Sequence, residues 1–361
     1  MNTKTLIDDL LGGSRLSEKE ALSLMNTKGR EILRIAEAAD IMREKTAGDA
    51  VTYVRNQNIH VTNICKNLCG FCGFGRPAGS EGAYLYGPRE IREKALLARK
   101  RDVTEVCLLS GVHPDFDADS YADMIRAVHE VMPEVDVHTA SPEEVTYSAE
   151  RSGLTSVEVL ELFREAGLGT LQGTAAEILV DEVRQKICPK KVDTETWVRV
   201  IKEAHNMGIR STATIMYGSC ESVADRVRHL SIIRDIQDET GGFTEFIPLS
   251  YLYKHTRLYE AGIAGEGATG REDLLMIAIS RLFLDNIPNI QISWGKVDRK
   301  LTQLLLISGG NDLGGTMFDD AVSTDAGADD ADFFDPAAMQ RLAEDMGRPL
   351  KQRTTLYELL D

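Results

Sequence analysis

Asn63-Ile64-Cys65-Lys66-Asn67-Leu68-Cys69-Gly70-Phe71-Cys72-Gly73-Phe74 places three of the chain's six cysteines within eight residues, in the order Cys-x-x-x-Cys-x-x-Cys. The β-branched run at 58–62 precedes it, so the cysteines read as a loop leaving a strand. Thiols this close together in a chain that is not secreted usually hold a metal. A structural zinc site takes four ligands, commonly as two separated pairs, and neither a second pair nor a Cys-His knuckle follows. Three sulfurs suit a 4Fe-4S cluster with one iron left open. A zinc site or a purely structural trio is the alternative reading.

The length of 361 residues is that of one large α/β barrel with additions. Hydrophobic content of 43% and charged content of 27% are those of an ordinary globular protein. A net charge of -16, from 41 basic and 57 acidic residues, argues against general binding to nucleic acid or to an anionic membrane surface. Met1-Asn2-Thr3-Lys4 leads into charged, helix-like sequence without a signal-peptide core, and no window approaches the roughly 18 apolar residues of a membrane span. The expected location is the cytoplasm. Cys107, Cys188 and Cys220 are scattered, as reduced thiols of such a compartment would be, and Cys107 sits in an apolar run as a small core residue.

Residues 1–57 read as helices, with Ile32, Ile35, Ala36 and Ala39 at helical spacing. Strands are then expected near 58–63, 104–110, 134–139, 168–173, 210–217, 243–249, 289–294 and 311–316. Between them lie helix-length segments with their own start signals. Ser141-Pro142-Glu143-Glu144 combines a capping box with proline at the first helical position, and the boxes recur at 155–158 and 269–272. Gly167 and Gly208 stand where helices should end, and Trp197, Val200, Ile201 and Ala204 form one apolar stripe. Parallel neighbours need helical crossovers, so the pattern predicts an α/β barrel of the TIM type with eight strands, or six if the last two are misread. The expected organisation is a helical extension over 1–50, the barrel over 51–330 and a helical tail over 331–361, with 319–332 the most disorder-prone stretch. No Ser-His-Asp arrangement or Walker-type phosphate loop is readable.

The cysteine spacing, with Phe71 just before the third cysteine, resembles the radical S-adenosylmethionine (SAM) enzymes. The resemblance implies a 4Fe-4S cluster held by Cys65, Cys69 and Cys72, whose open iron binds the amino and carboxylate groups of SAM. The site of such a barrel lies at the carboxyl ends of its strands. Ser110-Gly111 stands where many of these enzymes have a Gly-Gly pair that receives the SAM amino group, so Phe71, Ser110 and Gly111 are candidates for the cofactor. Glu177 is a candidate partner of an ammonium, or else a solvated carboxylate at a helix N-terminus. Tyr217, in the Met216-Tyr217-Gly218 strand end, is a further cofactor candidate. His113, His138 and Glu245 are candidates for substrate, with a turn histidine the alternative for His113 and a buried pair the alternative for Glu245.

The resemblance narrows with Gly173-Thr174-Ala175-Ala176-Glu177, Ile187-Cys188-Pro189, Pro288-Asn289-Ile290-Gln291-Ile292-Ser293-Trp294 and Asn311-Asp312-Leu313-Gly314-Gly315-Thr316. These blocks are similar to the group comprising the tyrosine-using half of FO synthase (CofH) and its relatives in the futalosine route to menaquinone. That group implies cleavage of L-tyrosine and addition of its 4-hydroxybenzyl group to 5-amino-6-(D-ribitylamino)uracil. It also implies an external electron donor and a second radical SAM protein, CofG, that closes the deazaflavin ring. Lys66-Asn67-Leu68, Thr139-Ala140 and Asp320-Ala321-Val322-Ser323-Thr324 depart from the group's usual residues. The alternative they leave is a diverged paralogue or a futalosine-route enzyme with a different acceptor.

Overall fold

The structure is a computed structural model and describes residues 3–360. Among these residues the strands are β1 (Val51–Val54), β2 (Asn56–Thr62), β3 (Glu105–Ser110), β4 (Asp136–Thr139), β5 (Thr170–Leu171), β6 (Ser211–Tyr217), β7 (Phe243–Ser250), β8 (Asp312–Gly315) and β9 (Leu350–Arg353). Strands β2 to β7 form one parallel sheet in sequence order, and β1 lies between β8 and β9 in a second. Parallel bridges Phe246↔Ile290 and Gln291↔Asp312 carry the pairing from β7 to β8. Because β1 runs on into β2 after Arg55, the pairing passes round a circuit, as in a parallel α/β barrel.

The crossover helices start where their caps are. Thr155 and Thr269 each exchange hydrogen bonds with the glutamate three residues on, opening helices Ser156–Ala166 and Gly270–Phe283. Trp197, Val200, Ile201 and Ala204 are all fully buried. Gly167, at φ 108°, ends its helix in the left-handed region that a side chain would resist. Gly173 answers a close approach, since a Cβ there would lie 1.9 Å from the Thr212 carbonyl oxygen of β6.

Four expectations change. Residues 1–57 are not all helical: the helices Thr3–Leu11, Glu18–Met25 and Glu31–Ala47 give way to β1, whose Val-Thr-Tyr-Val sequence is strand-like in itself. Of these, Glu18–Met25 packs on the outer helices Val223–Thr240 and Gly270–Phe283, Glu31–Ala47 packs on Gly270–Phe283, and Thr3–Leu11 packs on Glu31–Ala47. The strand expected over 289–294 is reduced to bridges, because the Asn311 side chain takes the place of a ladder partner, accepting from the Ile290 N–H at 2.8 Å. The tail expected to be helical contains the helix Pro336–Asp345 and then turns at Gly347 into β9, which pairs with β1. The Asp- and Ala-rich stretch 319–332 holds a short helix, Ala321–Asp325, capped by Asp320, and packs on the cysteine loop.

The tail closes the base of the sheet. Arg353 donates to both Asp312 carboxylate oxygens at 2.6 and 2.9 Å and lies 3.5 Å from Glu245. Tyr357 donates to Glu245 at 2.6 Å, with the Arg353 guanidinium 3.8 Å from its ring centroid. These groups come from the amino-terminal parts of β7 and β8, so they sit at the end of the barrel opposite the cysteine loop.

Candidate active site

The cysteine loop leaves β2 and is tied at both ends. The Ile64 N–H donates to the Thr62 hydroxyl at 3.1 Å, and the Lys66 N–H donates to the Val112 carbonyl at 2.8 Å. Leu68 takes a left-handed φ of 45°, which turns the chain between Cys65 and Cys69. Asn67 donates to Glu143 at 2.6 Å, Gly70 N–H donates to the Ile187 carbonyl at 3.0 Å, and Gly70 accepts from Leu258 N–H at 3.0 Å. The segment Ile187-Cys188-Pro189-Lys190-Lys191 therefore clamps the loop against the rest of the sheet.

Cys65, Cys69 and Cys72 line one cavity of about 290 Å³ together with Ser110, Gly111 and Glu177. All three thiols are free, and the Gly75 N–H already points at the Cys72 sulfur at 3.4 Å. Burial pushes the Cys69 thiol well up, which a bound cation would reverse. No three His, Cys, Asp or Glu side chains among the described residues converge as one metal ion requires. A cubane makes no such demand, because each of its thiolates binds a different iron. Three unpaired thiols at one cavity, one of them receiving an N–H, fit that donor set.

Gly111 explains itself by packing. A Cβ there would stand 2.5 Å from the Ile64 carbonyl oxygen and 3.0 Å from the Cys65 Cβ, so the β3 end and the cysteine loop meet only at glycine. Ser110 donates to the Gly111 carbonyl at 2.7 Å. Glu177 is buried, with φ 41°, and forms an ion pair with Lys191. Its burial and that ion pair, at a position short of the helix Asp181–Ile187 and its cap Val180, exclude the reading of a solvated carboxylate at a helix N-terminus. Burial works against the Lys191 ammonium, but Glu177 and the nearby Cys69 and Cys188 outweigh it and raise its pKa. Lys191 also lies 5.5 Å from the Phe71 ring centroid.

Four candidates lie away from the cavity wall. Tyr217 is buried and donates to Asp273 at 2.7 Å, facing the outer helix Gly270–Phe283. His113 is a turn histidine whose Nδ1 accepts from the Asp115 N–H at 3.2 Å, with its ring 4.7 Å from that of Phe116. His138 shares a 2.8 Å hydrogen bond with Thr170, and burial lowers its pKa to about 4. Glu245 belongs to the base network, where burial raises it to about 7 against the pull of Arg353. In each case a polar residue near a strand end was satisfied inside the fold.

Sequence reasoning missed other members of the wall, namely Asn67, Glu143, Glu144, Gln172, Lys191 and Lys296. Glu143 accepts from Asn67 and from the Val192 N–H at 2.7 Å, while Glu144 closes the Ser141 capping box. Burial, opposed by the Ser141 hydrogen bonds, brings Glu144 up to about 7. The cap signal marked this pair as structural, although the start of a helix after a barrel strand is also the mouth of the site. Gln172 forms the floor, donating to the Leu108 and His138 carbonyls at 3.2 Å each.

The radical SAM superfamily model matches residues 59–233, and a model described as the CofH/MqnC C-terminal region matches 240–361. A protein of Methanoculleus marisnigri is 58% identical over 99% of this chain and 97% of its own length. One of Methanothermobacter thermautotrophicus is 43% identical over the whole of both chains. Both carry the name "5-amino-6-(D-ribitylamino)uracil--L-tyrosine 4-hydroxyphenyl transferase". Among solved structures, methylornithine synthase (PylB) matches with a TM-score of 0.73 at 18% identity, over 96% of this chain and 97% of its own. The hydrogenase maturase HydG of Carboxydothermus hydrogenoformans matches at 0.77 and 16%, over 98% of this chain and 80% of its own. At those identities the two structures bear on the fold alone.

Proposed function

Because the chain belongs to the radical SAM superfamily, and along its length to the aminouracil-tyrosine hydroxyphenyl transferases within it, we propose that it transfers the 4-hydroxybenzyl group of L-tyrosine to 5-amino-6-(D-ribitylamino)uracil. The observation that carries this reading is a cavity shared by the two matched regions. Its walls draw on both matched regions, with the three cysteines from the first and Leu249 to Leu252, Lys296, Val322 and Ala326 from the second.

When bound, the 4Fe-4S cluster and SAM supply the one-electron cleavage that starts hydrogen abstraction from the substrate. The protein's share is placement and dryness. Cys65, Cys69 and Cys72 would hold the cluster, and the packing of Gly111 on Ile64 fixes the loop that carries them. Phe71 and the Lys191–Glu177 pair form one wall beside Cys69, and Leu249 and Met216 form an apolar wall suited to an aromatic ring. Gln172 closes the floor, and the tail seals the base beneath it.

The reading brings with it an external electron donor, the ring-closing enzyme CofG as functional partner, and a cytoplasmic location. No described helix is long and apolar enough to cross a membrane. The test is anaerobic reconstitution followed by incubation with SAM, reductant, L-tyrosine and the ribityl-diaminouracil. Four irons per chain, lost on Cys65→Ala, Cys69→Ala or Cys72→Ala, and 5'-deoxyadenosine formation that depends on tyrosine are expected. Stoichiometric zinc, or deoxyadenosine formed regardless of tyrosine, would remove the reading.

A further inference from the structure

Two lysines line the cavity, and they differ in what they already hold. Lys191 is neutralised by Glu177. Lys296, in the turn after the 290–292 bridges, uses its backbone N–H on the Ser293 carbonyl at 2.9 Å. Its ammonium makes no hydrogen bond and no ion pair among the described residues.

The nearby anions are engaged elsewhere. Asp320 caps the helix Ala321–Asp325 through the Val322 N–H at 3.1 Å and stands 3.7 Å from His60 Nε2. Cys72 belongs to the trio that would hold the cluster. Glu143 is taken by Asn67 and Val192, and Glu144 by Ser141. Burial lowers the pKa of Lys296, while Asp320 and Cys72 oppose that effect from a distance. An ammonium partly withdrawn from water without a close counter-ion is a site for an incoming anion. Lys296 also borders a second cavity of about 210 Å³, so it stands where the first cavity meets further space.

Resting on the function proposed above, we propose that Lys296 is a positioning residue whose ammonium anchors the carboxylate of a bound amino acid, specifically that of L-tyrosine. The ribityl-diaminouracil has no carboxylate to offer. The two carboxylates that enter the reaction belong to tyrosine and to SAM, and the test must tell them apart. Held at Lys296, the tyrosine carboxylate lies against the wall that includes Val322 and Ala326, leaving the ring to the apolar side formed by Leu249 and Met216.

The experiment measures equilibrium binding to cluster-loaded protein, comparing wild type with Lys296→Met and Lys296→Arg, each checked for iron content. The probes are L-tyrosine, its decarboxylated analogue tyramine, and SAM. Lys296→Met should weaken L-tyrosine at least about tenfold, the effect of losing a charge-assisted hydrogen bond. Tyramine and SAM should bind it as they bind wild type, and Lys296→Arg should recover most of the tyrosine affinity. In turnover the same loss should appear in KM for tyrosine more than in kcat. Equal tyrosine affinity in Lys296→Met and wild type would overturn the inference and leave the function standing. Weakening of SAM with tyrosine unchanged would assign the lysine to the cofactor and overturn it too. Wild-type protein that binds no tyrosine would instead remove the function itself.

Discussion

Gly111→Ala is the sharpest test of how the cysteine loop is held. The new methyl would stand 2.5 Å from the Ile64 carbonyl oxygen and 2.9 Å from its carbon, and both atoms are backbone. An ordinary contact needs about 3.4 Å or more, so the loop must retreat by roughly 0.9 Å. It is not free to do so. The Ile64 N–H is bonded to Thr62 at 3.1 Å, Cys65 N–H to the Arg76 carbonyl at 3.0 Å, and Lys66 N–H to Val112 at 2.8 Å. Overpacking of this kind costs about 1–3 kcal/mol, and straining one or two of these bonds adds about 1 kcal/mol. Unfolding entropy near 2.1 cal/mol/K per residue over this length makes 3 kcal/mol worth only about 4 °C. The larger effect should fall on the cluster, whose three ligands must hold their mutual spacing. The expected result is a thermal midpoint lowered by a few degrees and iron incorporation reduced severalfold under anaerobic reconstitution. Ser110→Ala, which removes only a hydroxyl bonded to the neighbouring carbonyl, should leave iron content unchanged. Full iron loading with an unshifted midpoint in Gly111→Ala would refute the argument that this contact sets the loop.

The other predictions concern buried charge. Lys191→Met leaves Glu177 buried without its partner and should destabilise by about 3–5 kcal/mol, whereas Lys191→Met with Glu177→Gln should recover much of that in chemical denaturation. Arg353→Met strands Asp312 and Glu245 at the base and should cost a similar amount. The same denaturation series checks this, and a midpoint unchanged in Arg353→Met would count against the assignment. His205 is buried between Thr240 and Ser211, and burial lowers its pKa to about 4. The unfolded chain takes up a proton near 6.5, so stability is lost as pH falls from about 6.5 toward 4, by up to about 3 kcal/mol. His205→Gln should flatten that part of the stability curve, measured by denaturant midpoints.

The fold was legible where the residue pattern is local. Capping boxes, glycine stops and the Trp197 stripe each report on their own few residues, and each stands where it was expected. β1 and β9 were not legible as partners. Their pairing joins residues about 300 positions apart, and no spacing in either segment announces it. The site divides in the same way. The cysteines, Phe71, Ser110, Gly111 and Glu177 reach the cavity because they leave strand ends directly. His138 and Tyr217 have the same kind of position in sequence, but each is satisfied by a neighbour distant along the chain, whereas His113 is held within its own turn and Glu245 lies near the opposite end of its strand. Lys191 and Lys296 carry no motif of their own. They become visible once the loops that bear them are folded over the cysteine loop.

The interior of the sheet is divided at Gln172. Above it lies the cavity, whose charged groups are few and nearly all paired; below it lies a dense set of ionisable groups closed by the tail. Buried ion pairs are weak sources of stability, so the base network is better understood by what it joins. Arg353 reaches β8 and β7 at once and is held under Tyr357, so the final residues are bound to the amino ends of strands whose other ends form the mouth. Glu105 and Asp136 belong to the same region, and burial raises both, Asp136 to about 6. Gln172 stands between the two regions, donating its amide N–H groups to the β3 and β4 carbonyls while its side chain lines the cavity. By holding Glu245 near the amino end of β7, whose Leu249 and Ser250 line the cavity at the other end, the tail supports the site though it lines no part of it.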